Sequence, residues 1–332
     1  MSEVRYVEVE TNHSGQRLDN FLKTLLKGVP SSRIYRIIRK GEVRINQGRA
    51  QPSSRLQIGD MVRIPPIRQS KSSDLSTNPL LIRLAQCLKS QVIFDDDAIL
   101  IINKPAGIAV HGGSGLQGGV IEALRLQAAD SPLLAPPFVG PAYLELVHRL
   151  DRQTSGCLLL ARSRAALLNL QQQMGGSKRS ATKHYLALLQ GCWQGGDRRV
   201  SCRLRKNQLL SGERMVIVSD AGKIAESLFS PISCSDIGSL VRIELLSGRT
   251  HQARVHAVVC GAPIAGDEKY GNHDFNCLMQ GYGLHRLFLH ASSIHIRHPV
   301  TGKSMHFQAP LPTELQHLIT AMGLDCSAIM GH

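Results

Sequence analysis

The sequence predicts an α+β protein in which a small basic module of helices and strands precedes a larger, strand-rich domain. Three observations support this prediction. Apolar residues recur at helical spacing twice within the first forty residues. Alternating or wholly apolar runs typical of β-strands recur between residues 92 and 245. A polar, Ser-rich run at 69–79 without periodicity separates the two parts.

The length of 332 residues favours two domains. We assign a small module to 15–68, a linker to 69–90 and the larger domain to 91–325. Lysine and arginine together number 39 against 25 acidic residues, giving a formal charge of +14. Such an excess favours a polyanionic partner such as nucleic acid, although a merely soluble basic protein remains the alternative.

The small module concentrates this charge. Leu18, Phe21, Leu22 and Leu25 predict one amphipathic helix, and a second follows with the apolar face Ile34, Ile37 and Ile38. The other face of the second helix is basic. Between residues 17 and 63, eleven basic residues stand against three acidic ones, a net charge of +8. This concentration favours phosphate contact over an ordinary solvated helix face. The candidate contact residues are Arg33, Arg36, Arg39, Lys40 and Arg44.

Several classes of protein are disfavoured by the composition. The eight cysteines include no Cys-x-x-Cys pair, and no acidic residue completes a zinc signature around the histidines. We therefore expect no metal. No apolar run approaches the ~20 residues of a membrane span, and the N-terminus lacks a signal-peptide pattern. We expect a cytoplasmic monomer that does not bind a membrane.

The larger domain begins with two buried-strand candidates at 92–94 and 99–102, joined by three aspartates. Adjacent strand residues alternate faces, so these carboxylates are expected to form a hairpin turn and not a magnesium site. A short helix is predicted before them, at 80–88. A glycine-rich loop at 112–119 lacks the Lys-Ser/Thr ending of a P-loop, and the Pro-rich run 131–143 is expected to be an exposed loop.

The most informative segment is 148–156, His-Arg-Leu-Asp-Arg-Gln-Thr-Ser-Gly, which lies between two strand-like runs. Rigid strands fix such a loop, and folds commonly place chemistry there. Its carboxylate, Asp151, lies between Arg149 and Arg152. We expect both cations to keep it ionised, and an ionised aspartate can act as a nucleophile. The alternative is a surface turn capped by the aspartate side chain.

This segment resembles the active-site signature of the RluA family of pseudouridine synthases, His-Arg-Leu-Asp-x-x-Thr-Ser-Gly, at every fixed position. The resemblance implies a catalytic domain around a long mixed, mainly antiparallel sheet. It also implies an RNA uridine-to-pseudouridine isomerase that uses Asp151 and no cofactor. Arg149 would then bind RNA, helping to flip the target base or filling the gap that the base leaves.

Two further segments extend the resemblance. Lys183-His184-Tyr185 is similar to the Lys-x-Tyr motif of the family, which implies that Tyr185 stacks on the target uracil and serves in proton transfer. Residues 248–256 resemble its Gly-Arg-Thr-His-Gln-Ile-Arg-Val-His motif, which implies that Arg254 pairs with Asp151. From the residues alone, Tyr185 would be a half-buried strand residue and Arg254 a surface arginine. Asp267, farther along, is expected to cap a loop.

Residues 16–65 resemble an S4 RNA-binding domain, through Arg17-Leu18-Asp19, Ser32-Arg33 and Gly59-Asp60. The combined resemblance implies large-subunit (23S) ribosomal RNA as the substrate, either free or in an assembly intermediate. A non-catalytic RNA-binding or ribosome-assembly factor is the alternative, but intact Asp151, Tyr185 and Arg254 weigh against it. A glycosidase usually needs two carboxylates about 5–10 Å apart, and the central segment supplies one.

Overall fold

The computed structural model describes residues 3–26, 29–67, 78–112, 118–130, 143–175, 179–208 and 214–325. The chain forms two compact units, Met1–Ile82 and Arg83–His332. The division falls inside the predicted linker, whose Ser-rich part up to residue 77 lies outside the described residues. Helix α3 (Pro79–Lys89) forms the rest of that segment, which confirms the helix predicted at 80–88. The predicted domain bounds themselves stay a prediction.

The first unit is a four-stranded antiparallel sheet with two helices. The sheet order is β1-β4-β2-β3. Its core is formed by the predicted apolar faces of both helices, including Phe21, Leu22, Ile34 and Ile38, together with Val62 from the sheet. The elements are β1 (Arg5–Glu8), a 3₁₀ turn (Thr11–His13), α1 (Leu18–Leu25), α2 (Ser31–Arg39), β2 (Arg44–Ile45), β3 (Gly48–Arg49) and β4 (Met61–Ile64).

The second unit contains one large mixed sheet with helices packed on it. Its strands are β5 (Val92–Asp95), β6 (Ile99–Lys104), β7 (Glu145–Leu146), β8 (Ser155–Ala161), β9 (Thr182–Gln190), β10 (Arg198–Gln208), β11 (Arg214–Val218), β12 (Lys223–Cys234), β13 (Gly238–Leu245), β14 (Leu289–Arg297) and β15 (Ser304–Gln308). Its helices are α4 (Val120–Asp130), α5 (Arg164–Met174), α6 (Gln252–Val259), α7 (His273–Gly281) and α8 (Thr313–Ala321).

The strand order of this sheet is β11-β10-β12-β13-β9-β14-β8-β6-β5, with β15 beside β14 and β7 beside β8. Among the described strand pairs, β14 and β8 run parallel and the other pairs run antiparallel. The predicted α+β class with a long, mainly antiparallel sheet is therefore confirmed. Helix α5 packs on one apolar cluster with β8 and β14, and helices α7 and α8 pack on another with β9 and β13.

Two details of the sheet bear on the central loop. The three aspartates at 95–97 form the predicted hairpin turn, since Asp96 Oδ1 accepts hydrogen bonds from the backbone N–H groups of Ala98 and Ile99. Gly156 pairs with Ala291 where β8 meets β14. Its φ is +111°, and a Cβ there would clash with the Ala291 carbonyl oxygen. Only glycine fits this close approach of two backbones.

The two other loops predicted from the sequence lie largely outside the described residues. These are the glycine-rich segment at 113–117 and the Pro-rich segment at 131–142. No helix in the described ranges is long and apolar enough to cross a membrane.

Candidate active site

Asp151 lies in the loop between β7 and β8, at a cleft with a volume of about 560 Å³. The cleft is within the usual size range of ligand pockets. The Asp151 side chain is 27% exposed, so its carboxylate can meet a ligand. Arg149, Tyr185 and Arg254 line the same cleft. The four residues that the family resemblance selects in this unit are thus brought together from three separate parts of the chain.

Lys104 anchors the loop that carries Asp151 through hydrogen bonds to backbone carbonyl oxygens. Its side chain is fully buried, and its Nζ donates to the carbonyl oxygens of Pro105 (2.7 Å), Ile108 (2.9 Å) and Arg152 (3.3 Å). Arg152 Nε returns a hydrogen bond of 2.8 Å to the Gly107 carbonyl oxygen. Burial and the nearby Arg286 together lower the pKa of Lys104 to about 7, although Asp151 opposes the shift. These bonds fix the backbone next to Asp151.

The cations near Asp151 differ in how they contact its carboxylate. Arg152 is directed to Gly107, and neither flanking arginine forms an ion pair with Asp151 among the described residues. The near cation is Arg254 of α6, whose Nη1 lies 3.5 Å from Asp151 Oδ2. The ion pair of Asp151 that the structure describes is therefore with a residue distant in sequence.

Arg254 is itself held by a buried carboxylate. Its Nε donates to Asp267 Oδ2 at 2.7 Å and its Nη2 to Asp267 Oδ1 at 2.6 Å. Burial opposes the charged form, but the bonds to Asp267 leave the pKa of Arg254 raised. Asp267 Oδ1 also accepts from the backbone N–H groups of Lys269 and Tyr270. Asp267 caps its loop as predicted, and it also orients Arg254, which the sequence did not indicate.

His251 provides a second contact to the same carboxylate oxygen. Its Nε2 lies 3.8 Å from Asp151 Oδ2, and its Nδ1 lies 2.8 Å from the hydroxyl of Tyr270. His251 precedes α6 in a left-handed conformation with φ +52°. Such backbone strain in a residue other than glycine is often found at functional sites. Burial lowers the pKa of His251, against the opposing effect of Asp151, so the ring is neutral near pH 7.

Strand β9 supplies two more side chains to the cleft. Tyr185 is buried, and burial raises its pKa above the ordinary value, so the phenol keeps its proton at neutral pH. Lys183, two residues earlier, also lines the cleft. Its side chain is buried, and its pKa is lowered to about 8 by burial and by Arg179. The sequence analysis identified Lys183 only as part of the Lys-x-Tyr motif and gave it no role.

The basic residues predicted to contact RNA in the small module belong to the first unit. Those on α2 and at its end are exposed, namely Arg33, Arg36, Arg39 and Lys40. Arg44 is also exposed but donates hydrogen bonds to the carbonyl oxygens of Gly41 and Gln47. Within the described ranges, no group of three or more His, Cys, Asp or Glu side chains could hold a metal ion.

Comparison with known proteins gives two family matches. Residues 98–258 match the model of the RNA pseudouridylate synthase family, and residues 16–62 match the S4 domain. The "Ribosomal large subunit pseudouridine synthase C" of Haemophilus influenzae is 47% identical over 318 residues, which cover 96% of this chain and 95% of that protein. The Escherichia coli K12 protein of the same name is 45% identical over 318 residues, covering 95% and 96%.

These matches also confirm a narrower prediction from the sequence, which concerns the group within the family. The S4-like module and the His-Gly-Gly-Ser-Gly run at 111–115 indicate the large-subunit synthase C group within the family. Among solved structures, "Human RNA Pseudouridylate Synthase Domain Containing 4" superimposes with a TM-score of 0.60 at 23% identity, covering 74% of this chain and 98% of that one. At this identity the likeness concerns the fold.

Proposed function

This chain belongs to the RNA pseudouridylate synthase family, and we propose that it isomerises specific uridines of large-subunit (23S) ribosomal RNA with Asp151 as the catalytic carboxylate. It is an RNA pseudouridine synthase, an isomerase. The substrate proposal rests on relatives that are 45–47% identical over nearly the whole chain and are named for the large ribosomal subunit. The reaction is proposed to need no cofactor.

The reaction moves one bond and requires no change of oxidation state. The N1–C1′ bond of uridine breaks, the uracil turns, and C5 joins C1′. A proton leaves C5 and another is taken up at N1, so atoms and charge balance. The step that needs the enzyme is the attack on the sugar, in which Asp151 acts either as a nucleophile at C1′ or as the base of an elimination.

The observation that carries the assignment of Asp151 is the asymmetry of its contacts. Oδ2 faces Arg254 at 3.5 Å and His251 at 3.8 Å. Oδ1 has no hydrogen-bond or ion-pair partner in the part of the chain that the structure describes. Two groups therefore orient the carboxylate by one oxygen and leave the other for the substrate, a preorganised arrangement suited to catalysis.

The rest of the cleft suits a nucleotide that has left its helix. A base must be extruded from its stack before an enzyme can act on its sugar, and the cleft has the volume for a single nucleotide. Tyr185 would stack on the uracil, and the exposed Arg149 would help to flip the base or fill the gap that it leaves. Tyr185, Arg254 and Asp151 are thus the proposed catalytic residues.

The first unit is proposed to bind the RNA by shape and phosphate contacts. Its basic side chains Arg33, Arg36, Arg39 and Lys40 are exposed, and none forms an ion pair with another described residue. Lysine and arginine left free in this way release counterions when they meet phosphates. We propose that the protein acts as a monomer, on free ribosomal RNA or on an assembly intermediate.

The decisive experiment uses large-subunit ribosomal RNA that carries tritium at uracil C5. C5 loses its hydrogen only when it becomes the glycosidic carbon, so tritium release reports the reaction itself. We expect release by the wild type and none by Asp151→Asn. Asp97→Asn, which alters an exposed carboxylate in the hairpin turn, is the matched control and should remain active.

Each outcome has a distinct meaning. Release by both the wild type and Asp151→Asn would retain the enzyme class and overturn the catalytic residue. No release from this RNA, with release from small-subunit or transfer RNA, would overturn the substrate. No release from any RNA, with salt-sensitive binding intact, would favour the assembly-factor alternative. Primer extension on the treated RNA then locates the modified uridines.

A further inference from the structure

Lys183 is a buried cation without a partner among the residues that the structure describes. Its side chain is 8% exposed. Its Nζ makes no hydrogen bond or ion pair within the described ranges of the chain. The ammonium lies beside Gly248, since a Cβ added to that glycine would be 3.6 Å from Nζ. Both residues line the cleft that holds Asp151. Its three N–H donors are therefore available to a ligand in the cleft.

This arrangement is unfavourable for the free protein. Removing an ammonium from water without a compensating partner costs free energy, and folded proteins rarely retain one without a functional reason. Burial and the neighbouring Arg179 both lower the pKa of Lys183, and no carboxylate raises it. Arg179 itself is already occupied, since it donates to Glu244 and to the Leu245 carbonyl oxygen. The described residues therefore supply no partner for the charge of Lys183.

The position of Lys183 along β9 identifies the part of the substrate it would meet. Side chains two residues apart on a strand point to the same face, roughly 7 Å apart. Lys183 and Tyr185 therefore project together into the cleft. If Tyr185 stacks on the target uracil, the ammonium lies next to the edge of that ring, where its carbonyl oxygens are.

We propose that Lys183 is a catalytic residue that donates a hydrogen bond to a carbonyl oxygen of the target uracil and stabilises the negative charge of the departing base. The proposal rests on the proposed function. When the N1–C1′ bond breaks, its electron pair stays with the uracil and spreads over N1 and the carbonyl oxygens. When C5 then bonds to C1′, the step that Asp151 made at the sugar is reversed, a proton leaves C5 and N1 gains one, so the charge on the base disappears.

The stage of the reaction at which this negative charge develops determines which kinetic constant should change. The uracil of the bound substrate is neutral, and the negative charge develops only as the bond breaks. An interaction that strengthens in the transition state raises kcat and leaves substrate affinity nearly constant. A desolvated donor is especially effective because the cleft reorganises little when the charge appears. A lysine that bound an RNA phosphate would instead act on affinity.

The first test compares Lys183→Met with the wild type in single-turnover tritium release. Methionine keeps the length of the apolar stem and removes the charge. We expect the rate at saturating enzyme to fall by about 10²-fold, with the Kd for RNA within twofold of the wild type. We expect the melting temperature to stay the same or rise, because an unpaired buried charge is removed. Lys303→Met, at an exposed lysine, is the matched control.

The second test uses RNA in which the target uridine is replaced by 5-fluorouridine. C5 then has no proton to lose after it bonds to C1′, so the C6=N1 bond that remains adds water, and mass spectrometry of the digested RNA follows this hydrated product. Fluorine withdraws electrons and stabilises the departing uracil anion. If Lys183 stabilises the same charge, the rate ratio of wild type to Lys183→Met should shrink at least tenfold on this substrate. An unchanged ratio would overturn the proposal.

A third test, with Lys183→Arg, decides whether Lys183 has this role even if Lys183→Met does not fold. Lys183→Arg keeps a charge that does not titrate near pH 8. The wild-type rate should fall above about pH 8, where Lys183 loses its proton, and this limb should be absent in the arginine variant. The other groups around Lys183 are Arg179 and His148. Burial lowers the pKa of His148 to about 3, so this ring does not titrate near pH 8. Lys104, whose pKa is lowered to about 7, is present in both proteins, so it is a limb near pH 8 persisting in Lys183→Arg that overturns the proposal.

The remaining outcomes separate this proposal from the proposed function. A wild type that releases no tritium from any RNA removes both. Loss of release in Asp151→Asn together with wild-type rates in Lys183→Met removes the role of Lys183 alone. A weaker Kd at an unchanged saturating rate, or a lower melting temperature, would identify Lys183 as an RNA-binding or structural residue instead.

Discussion

The hydroxyl of Tyr270 lies 2.8 Å from Nδ1 of His251 and sets the proton position of that ring. The same hydroxyl oxygen accepts a hydrogen bond of 2.8 Å from the backbone N–H of Val216. The Tyr270 proton can therefore be donated to Nδ1, which leaves the N–H of His251 at Nε2. The Asp151 oxygen 3.8 Å away favours this tautomer, because an N–H facing a carboxylate attracts and a lone pair repels.

Replacing Tyr270 with phenylalanine should weaken catalysis without preventing binding. One neutral hydrogen bond contributes about 1 kcal/mol, so we expect kcat to fall roughly fivefold at constant KM. Single-turnover tritium release measures this, and Tyr282→Phe, at a partly exposed tyrosine, is the control. An unchanged kcat would mean that Tyr270 does not act through His251. The ¹⁵N shifts of the His251 ring would report the tautomer directly.

Asp267→Asn should abolish activity and destabilise the fold. The substitution removes one charge of a buried, bidentate pair and leaves Arg254 incompletely neutralised. Breaking a buried pair in this way typically costs about 3–5 kcal/mol. Urea unfolding gives the free energy, and the exposed Asp220→Asn is the control. Wild-type stability in Asp267→Asn would show that Asp151 alone can neutralise Arg254.

Gly156→Ala should disrupt the sheet far more than Gly302→Ala. Both glycines have positive φ, but only the Cβ at Gly156 would collide with the backbone of Ala291. At Gly302 no atom lies within 4 Å of the added Cβ, so the cost there is conformational strain of about 1 kcal/mol. For Gly156→Ala we expect a loss exceeding about 3 kcal/mol or insoluble protein. Similar unfolding midpoints would contradict the assigned backbone contact.

Buried histidines should make the fold sensitive to acid. Burial lowers the pKa of His256 and of His290 to about 4, from an ordinary value of 6.5. Between these values the unfolded chain holds more protons than the folded chain. Stability present above pH 6.5 is therefore lost as the pH falls towards 4.

The variant His256→Leu tests this dependence. Neither ring nitrogen of His256 has a hydrogen-bond partner among the described residues, so leucine should not destabilise the protein at pH 7. It should remove a pH dependence of at most about 2 kcal/mol between pH 6.5 and 5. Urea unfolding at both pH values measures this, and the exposed His317→Leu is the control. Equal acid sensitivity in both variants would contradict the prediction.

The basic face of α2 should determine the salt dependence of RNA binding. Arg33 and Arg36 are exposed on this helix. Replacing each with glutamine should reduce the slope of log affinity against log salt by roughly one per lost phosphate contact. Filter binding between low and moderate salt measures the slope, with Lys303→Met as the control. An unaltered slope would place the RNA contacts of the small module elsewhere.

Local sequence patterns predicted the helices and the hairpin turn, which depend on interactions between residues close in sequence. The helical faces at Leu18–Leu25 and in α2, and the hairpin at the three aspartates, follow from periodicity and turn chemistry. Motif resemblance selected Asp151, Tyr185 and Arg254, which the fold brings to one cleft. The flanking Arg149 and Arg152 were expected to favour the ionised form of Asp151, and that stays a prediction. The ion pair that the structure describes is with Arg254, which is distant in sequence.

The groups that the sequence did not indicate depend on distant parts of the chain. Asp267 acquires its role only when its loop meets α6, and Tyr270 only when it meets both His251 and Val216. The isolation of Lys183 is a property of three-dimensional burial. The sequence around a strand lysine does not show whether a carboxylate will lie close enough to pair with it in the folded protein.

The parallel pairing of β8 with β14 also has a consequence for biosynthesis. Ser155 and His290, which share a hydrogen bond at this junction, are separated by 135 residues. Such non-local pairing forms late, because the intervening chain must be ordered first. At ribosomal elongation rates of about 5–20 residues per second, β14 is synthesised on the order of ten seconds after β8. The Asp151 loop lacks its supporting strand throughout that interval, so a nascent chain is expected to be catalytically silent until β14 has emerged and docked.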